Sequence, residues 1–157
     1  MFAVSRSRLL LVLVSAAVTT VNGQQQSPAR PRIRAQQLVD ETMTRHPELR
    51  GLEMALLSSS GCRTVAATAR EDIGEKCDDD EEGPIRTGRP DVEAPTRADP
   101  VYDITQALHD STGRLIGAVG MDIPPRKGET RAVVLSRAQA ILAELEGHIP
   151  SKDALLR

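Results

Sequence analysis

Side chains able to do chemistry are few and scattered along this 157-residue chain. His109 and Asp110 are neighbours, and a carboxylate beside an imidazole can orient it for acid–base work or for a metal. The same Asp110 opens Asp110-Ser111-Thr112-Gly113, a turn sequence in which an aspartate accepts the turn amides. No third ligand or nucleophile bears a fixed relation to the pair, so the turn reading is the stronger one. His46 abuts Pro47 and His148 follows Gly147, each at a helix end where an imidazolium favours the helix dipole. Three histidines so placed do not have the spacing of a zinc site. The acidic run from Asp78 to Glu82 offers oxygens to calcium but lacks the alternation of a calcium loop, and reads as a solvated acidic loop. Ser58, Ser59 and Ser60 lie in a turn cluster without the context of a serine nucleophile. Thr87-Gly88-Arg89-Pro90 lacks the lysine and glycine spacing of a phosphate loop. No catalytic residue and no metal ligand is assigned.

Cys62 and Cys77 are the only cysteines, with fourteen residues between them. The start of the chain bears on their state. Arg6 and Arg8 precede an apolar run from Leu9 to Val18, and Val21-Asn22-Gly23 offers small or short residues for cleavage. Residues 1–23 read as a secretory signal peptide, and the apolar run is short for a membrane span. Two cysteines in an exported chain are expected to pair. The expected location is the periplasm or the cell exterior, with no stable membrane insertion once the signal is removed.

The remaining 134 residues make one domain. They hold 18 basic against 22 acidic groups, a net charge of −4, which argues against nucleic acid as a partner. Tyr102 is their only aromatic side chain of the Phe, Trp and Tyr class, so the core must be aliphatic and aromatic cages for cations are excluded.

The elements follow from periodicity. Residues 24–32 form a polar leader with Pro28 and Pro31, expected to be disordered. Ile33 to Arg45 places Ala35, Leu38, Val39 and Thr42 on one helical face, and Pro47 ends it. Leu52 to Leu57 and Arg63 to Thr68 read as a hairpin across the serine turn. Arg70 to Pro95 is a polar connection able to cross a sheet face, with room for one or two short helical turns and a brief strand at Asp91 to Ala94. Val101 to Ile123 is a second hairpin, with Leu115, Gly117, Val119, Met121 and Ile123 in one register. Thr130 to Gly147 carries Val134, Ala138, Ile141 and Leu145 on one stripe of a long helix. Ser151 can cap a last turn. The order predicts an α+β domain over 33–157, with an antiparallel sheet of about five strands flanked by an N-terminal and a C-terminal helix.

Four pieces in this order resemble the Cache group of extracytoplasmic PAS-like sensor domains. They are LEMALLSSSGCRTVAAT, the DIG at Asp72 to Gly74, TGRPDVE at Thr87 to Glu93, and HDSTGRLIGAVGMDI at His109 to Ile123. The resemblance implies a non-catalytic domain with a ligand pocket between the sheet and the crossing segment. Most relatives sit between membrane helices and signal into a kinase, cyclase or chemoreceptor, so a free-standing soluble version is implied here, with an envelope protein as a possible partner. Fold analogy and strand alternation together nominate Tyr102 for a hydroxyl, Arg86 or Arg89 for clamping a carboxylate ligand, and Gln106 and Asp122 for polar contacts. Neither the ligand nor a cofactor is named by any motif. The competing class is a small secreted enzyme, or a protein-binding accessory or inhibitor, on a helix-plus-sheet scaffold.

Overall fold

The computed structural model describes residues 33–157. The signal peptide and the polar leader expected over residues 1–32 lie outside the described residues. Strands β1 (Gly51–Ser58), β2 (Gly61–Ala67), β3 (Asp91–Glu93), β4 (Tyr102–His109) and β5 (Leu115–Ile123) form one antiparallel sheet in the order β2-β1-β5-β4-β3. Helices α1 (Arg34–Arg45), α2 (Asp79–Thr87), α3 (Arg131–Gly147) and the short α4 (Lys152–Leu155) complete the α+β domain expected from the sequence. Ser151 caps α4 through its Oγ, which accepts from Ala154 N at 3.3 Å. No helix of the described residues is long and apolar enough to cross a membrane.

The period of two divides the sheet into unlike faces. Leu52, Met54, Leu56, Ile104, Leu108, Val119, Met121 and Ile123 are buried on one side. They join Leu38 and Val39 of α1 and Val134, Ala138, Ile141 and Leu145 of α3 in one aliphatic core. Each such Leu or Ile contributes about 1.5–3 kcal/mol by leaving water. The opposite face is made of small and acidic residues, and α2 crosses it against β4 and β5. The register stacks these residues in rows across the strands. Gly51, Asp122 and Asp103 form one row, and Glu53, Gly120 and Thr105 the next. A third row is Ala55, Ala118 and Ala107.

Three expectations are corrected here. The run Asp78 to Glu82 is not a solvated loop but the N-cap and first turn of α2. Asp78 Oδ1 accepts from Asp80 N at 3.0 Å, and Glu81 Oε2 accepts from Asp78 N at 2.9 Å, a reciprocal cap that satisfies two orphan amides. Four acidic residues in that turn also complement the helix dipole. In β5 the alternation does not run unbroken to Leu115. An irregularity in the β4–β5 pairing sets Leu108 against Gly117 but His109 against Leu115, so Ile116 enters the core and Leu115 is left exposed. Finally, Tyr102 pairs with Ile123 and packs against the aliphatic core, so it does not wall the α2 side of the sheet.

Candidate functional site

The α2 face of the sheet encloses a cavity of about 260 Å³. Glu53 of β1, Asp103 of β4 and Asp122 of β5 form its floor, with Thr105 beside them. Asp72, Asp78, Asp80 and Glu81 reach it from the crossing segment. Seven carboxylates therefore line one cavity, and no Lys or Arg is among its lining residues. Gly51 makes room for the floor: a Cβ there would collide with the Asp122 carboxylate.

The crossing segment is held over the sheet by covalent and backbone ties. Cys62 in β2 is bonded to Cys77, with Cα atoms 5.3 Å apart, as expected from the cysteine count. Around that bond Thr64 N donates to Glu75 O at 3.0 Å, Gly74 N to Thr64 O at 2.9 Å and Cys77 N to Cys62 O at 3.2 Å. Residues 74–77 thus run along the outer edge of β2 and cover it, and Asp78 follows the disulfide directly. The position of the acidic N-terminus of α2 is set by this anchor.

The electrostatics of the cavity are those of crowded, partly desolvated acids. Loss of water lifts Glu53 above the usual carboxylate range, and Asp72, Glu75 and Asp78 add to the lift, while the hydrogen bond from Thr64 Oγ1 opposes it. Asp103 is pushed up to about 6, first by desolvation and then by Asp122, Glu93 and Asp80. Glu81 is pushed up to about 7, chiefly by desolvation, against the hydrogen bond it accepts from the Asp78 amide. Asp122 and Asp80 are raised too, desolvation again leading. Glu81 and Asp103 thus titrate closer to neutrality than ordinary carboxylates do. At its margin Asp80, Asp91 and Glu93 bring carboxylate oxygens within 4.8 Å of one another, the set among the described residues best disposed to share a cation.

Of the five nominated ligand residues, only Asp122 lines this cavity. Gln106 shares the core-side parity of Ile104 and Leu108 and borders a different cleft, beside α3. Arg86 flanks a shallow groove with Leu57 and Cys62, and Arg89 is exposed beyond the end of α2. Neither Arg86 nor Arg89 is among the residues that line the acidic cavity, so the structure does not bring the nominated clamp to it. Asp110 does bond its turn: Oδ1 accepts from Thr112 N at 3.0 Å and Arg114 N at 3.1 Å. His109 Nδ1 lies 3.0 Å from Glu146 Oε1 on α3, and His46 Nε2 lies 3.0 Å from Glu144 Oε2.

No family model matches the chain. No curated protein matches it either. Among solved structures, it is similar to the GAF domain of a two-component sensor histidine kinase from Bacillus halodurans. The likeness has a TM-score of 0.51 at 9% identity and covers 76% of this chain and 91% of that one. At such identity the likeness is one of fold, and the chain adopts a GAF- or PAS-like fold, an antiparallel five-stranded sheet with flanking helices.

Proposed function

We propose that the protein is an exported, non-catalytic small-molecule-binding module of the sensor type, a Cache-like form of this fold. Its ligand carries positive charge and enters the cavity beneath α2. One observation carries the reading: a cavity on the α2 face of the sheet is lined by seven carboxylates, with no Lys or Arg among its lining residues. A bound amine relieves their mutual repulsion and takes the place of the protons that Asp103 and Glu81 hold near neutrality. An organic cation suits the floor better than a bare metal ion. The floor carboxylates are spread over three strands, whereas a calcium ion wants six to eight oxygens converging on one point. The disulfide supports an oxidising compartment, and an envelope protein is the natural receiver of the signal.

Thermal melting against three probes tests this: 1,4-diaminobutane, calcium chloride and sodium succinate. The diamine is expected to raise Tm by about 3 °C or more near saturation, with succinate without effect. Stabilisation by succinate alone, or by none of the three, overturns the cationic reading. Stabilisation by calcium alone transfers the site to Asp80, Asp91 and Glu93.

A further inference from the structure

The floor of the acidic cavity has a gap in its middle. Gly120 lies in the central strand β5, flanked across the register by Glu53 of β1 on one side and Thr105 of β4 on the other. Its φ is not positive, so the backbone does not require glycine there. Packing does not require it either, since a Cβ would meet only Thr105 Oγ1 at 3.6 Å and Glu53 Cβ at 3.9 Å. The missing side chain leaves open space over β5, bordered by a hydroxyl and a carboxylate. Asp122, two residues along the same strand and on the same face, borders it on a third side.

Thr105 is the odd member of this floor. It is only 6% exposed and lines the cavity, yet its Oγ1 has no hydrogen-bond partner among the described residues. The unpaired Gln106 Nε2 and Arg137 Nη2 are fully enclosed; Thr105 Oγ1 is not, and the surface it keeps faces the space over Gly120. The other buried threonines of the described residues are paired. Thr42 Oγ1 accepts from Arg45 Nη2 at 3.4 Å, and Thr64 Oγ1 donates to Glu53 Oε1. A hydroxyl withdrawn from bulk water and left unpaired is costly, which singles out Thr105. The bond from Thr64 also fixes the Glu53 carboxylate and leaves Oε2 able to accept.

We infer that the space over Gly120 is an ammonium subsite, seating a primary ammonium group whose N–H bonds go to Thr105 Oγ1, Glu53 Oε2 and the Asp122 carboxylate. The inference rests on the cationic reading of the cavity and narrows it to one class of cation. A primary ammonium has three donors and no acceptor, which matches a niche made of one hydroxyl and two carboxylates. A quaternary ammonium has no N–H to give, and the aromatic faces that hold such cations are missing from the cavity lining. The carbon chain behind the ammonium needs room against the strand, and Gly120 supplies it.

The test is calorimetric titration of the purified protein at about pH 8, above the titration of Asp103 and Glu81. The probes are 1,4-diaminobutane and its bis(trimethylammonium) counterpart, which has the same charge and no N–H. The native protein is expected to bind the diamine about tenfold more tightly than the quaternary compound. Thr105→Val keeps the branched shape and removes the unpaired hydroxyl. It is expected to weaken the diamine roughly fivefold while melting no lower than the native protein, and Thr105→Ser to restore most of the affinity. Equal binding of the two probes overturns the subsite and leaves the cationic reading standing. Binding of neither probe removes the cationic reading and the subsite together. A Thr105→Val protein that binds the diamine natively overturns the subsite, as does a Thr105→Ser protein as weak as Thr105→Val. If Thr105→Val fails to fold, the native protein decides through the Thr105 methyl resonance. The diamine is expected to shift it saturably, and a resonance that does not move overturns the inference.

Discussion

Asp103 of β4 and Asp122 of β5 are direct cross-strand partners, and both carboxylates line the cavity beneath α2. Like charges directly opposed on a sheet are destabilising, and here the repulsion joins desolvation in pushing Asp103 up to about 6. The sign of the linkage follows. The folded state holds a proton on Asp103 over a range in which the unfolded chain, with its ordinary value of 3.8, has released it. Stability therefore falls as pH rises through that interval and is lowest, for this group, above about 6. Asp103→Asn is expected to raise Tm at pH 7.5 and to flatten the profile between pH 4 and pH 7. Melting curves across that range decide it. A variant that melts lower at neutral pH with an unchanged profile contradicts the assignment.

Ligand affinity should run the other way. A cation in the cavity needs ionised acceptors, and acidification protonates first Glu81, at about 7, and then Asp103, at about 6. Binding of 1,4-diaminobutane is expected to weaken by about tenfold or more between pH 8 and pH 5, with net proton release on binding at the intermediate pH. Calorimetry in two buffers of different ionisation enthalpy reads both quantities. A pH-independent affinity means that the diamine binds elsewhere.

Much of this fold was legible because each strand announces one face. Leu52, Met54 and Leu56 alternate cleanly, and so do Val119, Met121 and Ile123. The site was less legible, because its floor exists only in the register: Glu53 meets Gly120, and Gly51 meets Asp122, through pairings between strands distant in sequence. One conflict was open to reading in the sequence itself. Tyr102 has the parity of Ile104 and Leu108, and Asp122 the parity opposite Met121 and Ile123, so the two could not share a wall. Helix α2, within a connection read as having room for one or two short helical turns, contains Gly83 and Pro84, which weaken its helical signal. The Asp78-x-x-Glu81 pattern was the signal for its start, a capping box ahead of a first turn that tolerates acidic residues. Leu115 fits the alternation yet lies outside the core, because the irregularity near His109 leaves no mark in periodicity.

The disulfide is expected to carry both stability and site geometry. Its sequence separation is 15, and closing a loop of that size is worth about 3 kcal/mol in the chain-entropy description. The Cys62→Ala, Cys77→Ala double variant should lose roughly that amount in urea unfolding at constant slope. It should also bind the diamine more weakly, because the acidic N-terminus of α2 loses its anchor. Free-thiol titration of the unreduced native protein should find none. Two titratable thiols, or an unchanged urea midpoint in the variant, would remove this role.

Gly117 offers the sharpest test of the packing that sets the register. A Cβ there would collide with the Ala55 carbonyl oxygen and crowd the Leu56 Cα, 2.9 Å away, in the adjacent strand β1. Backbone cannot swing aside as a flexible side chain can, so relief requires β1 and β5 to separate. That separation weakens the ladder from Gly51 to Leu56 and shifts Glu53 relative to Gly120 in the cavity floor. Gly117→Ala is expected to cost about 2–3 kcal/mol, within the range for overpacking against an unyielding neighbour. Gly120→Ala is its control. The nearest atoms to a Cβ at Gly120 are Thr105 Oγ1 at 3.6 Å and Glu53 Cβ at 3.9 Å, both ordinary contacts. That variant should fold with nearly native stability while narrowing the cavity, so its defect should appear in diamine binding. Equal urea midpoints for the two alanine variants would refute the close approach at Gly117.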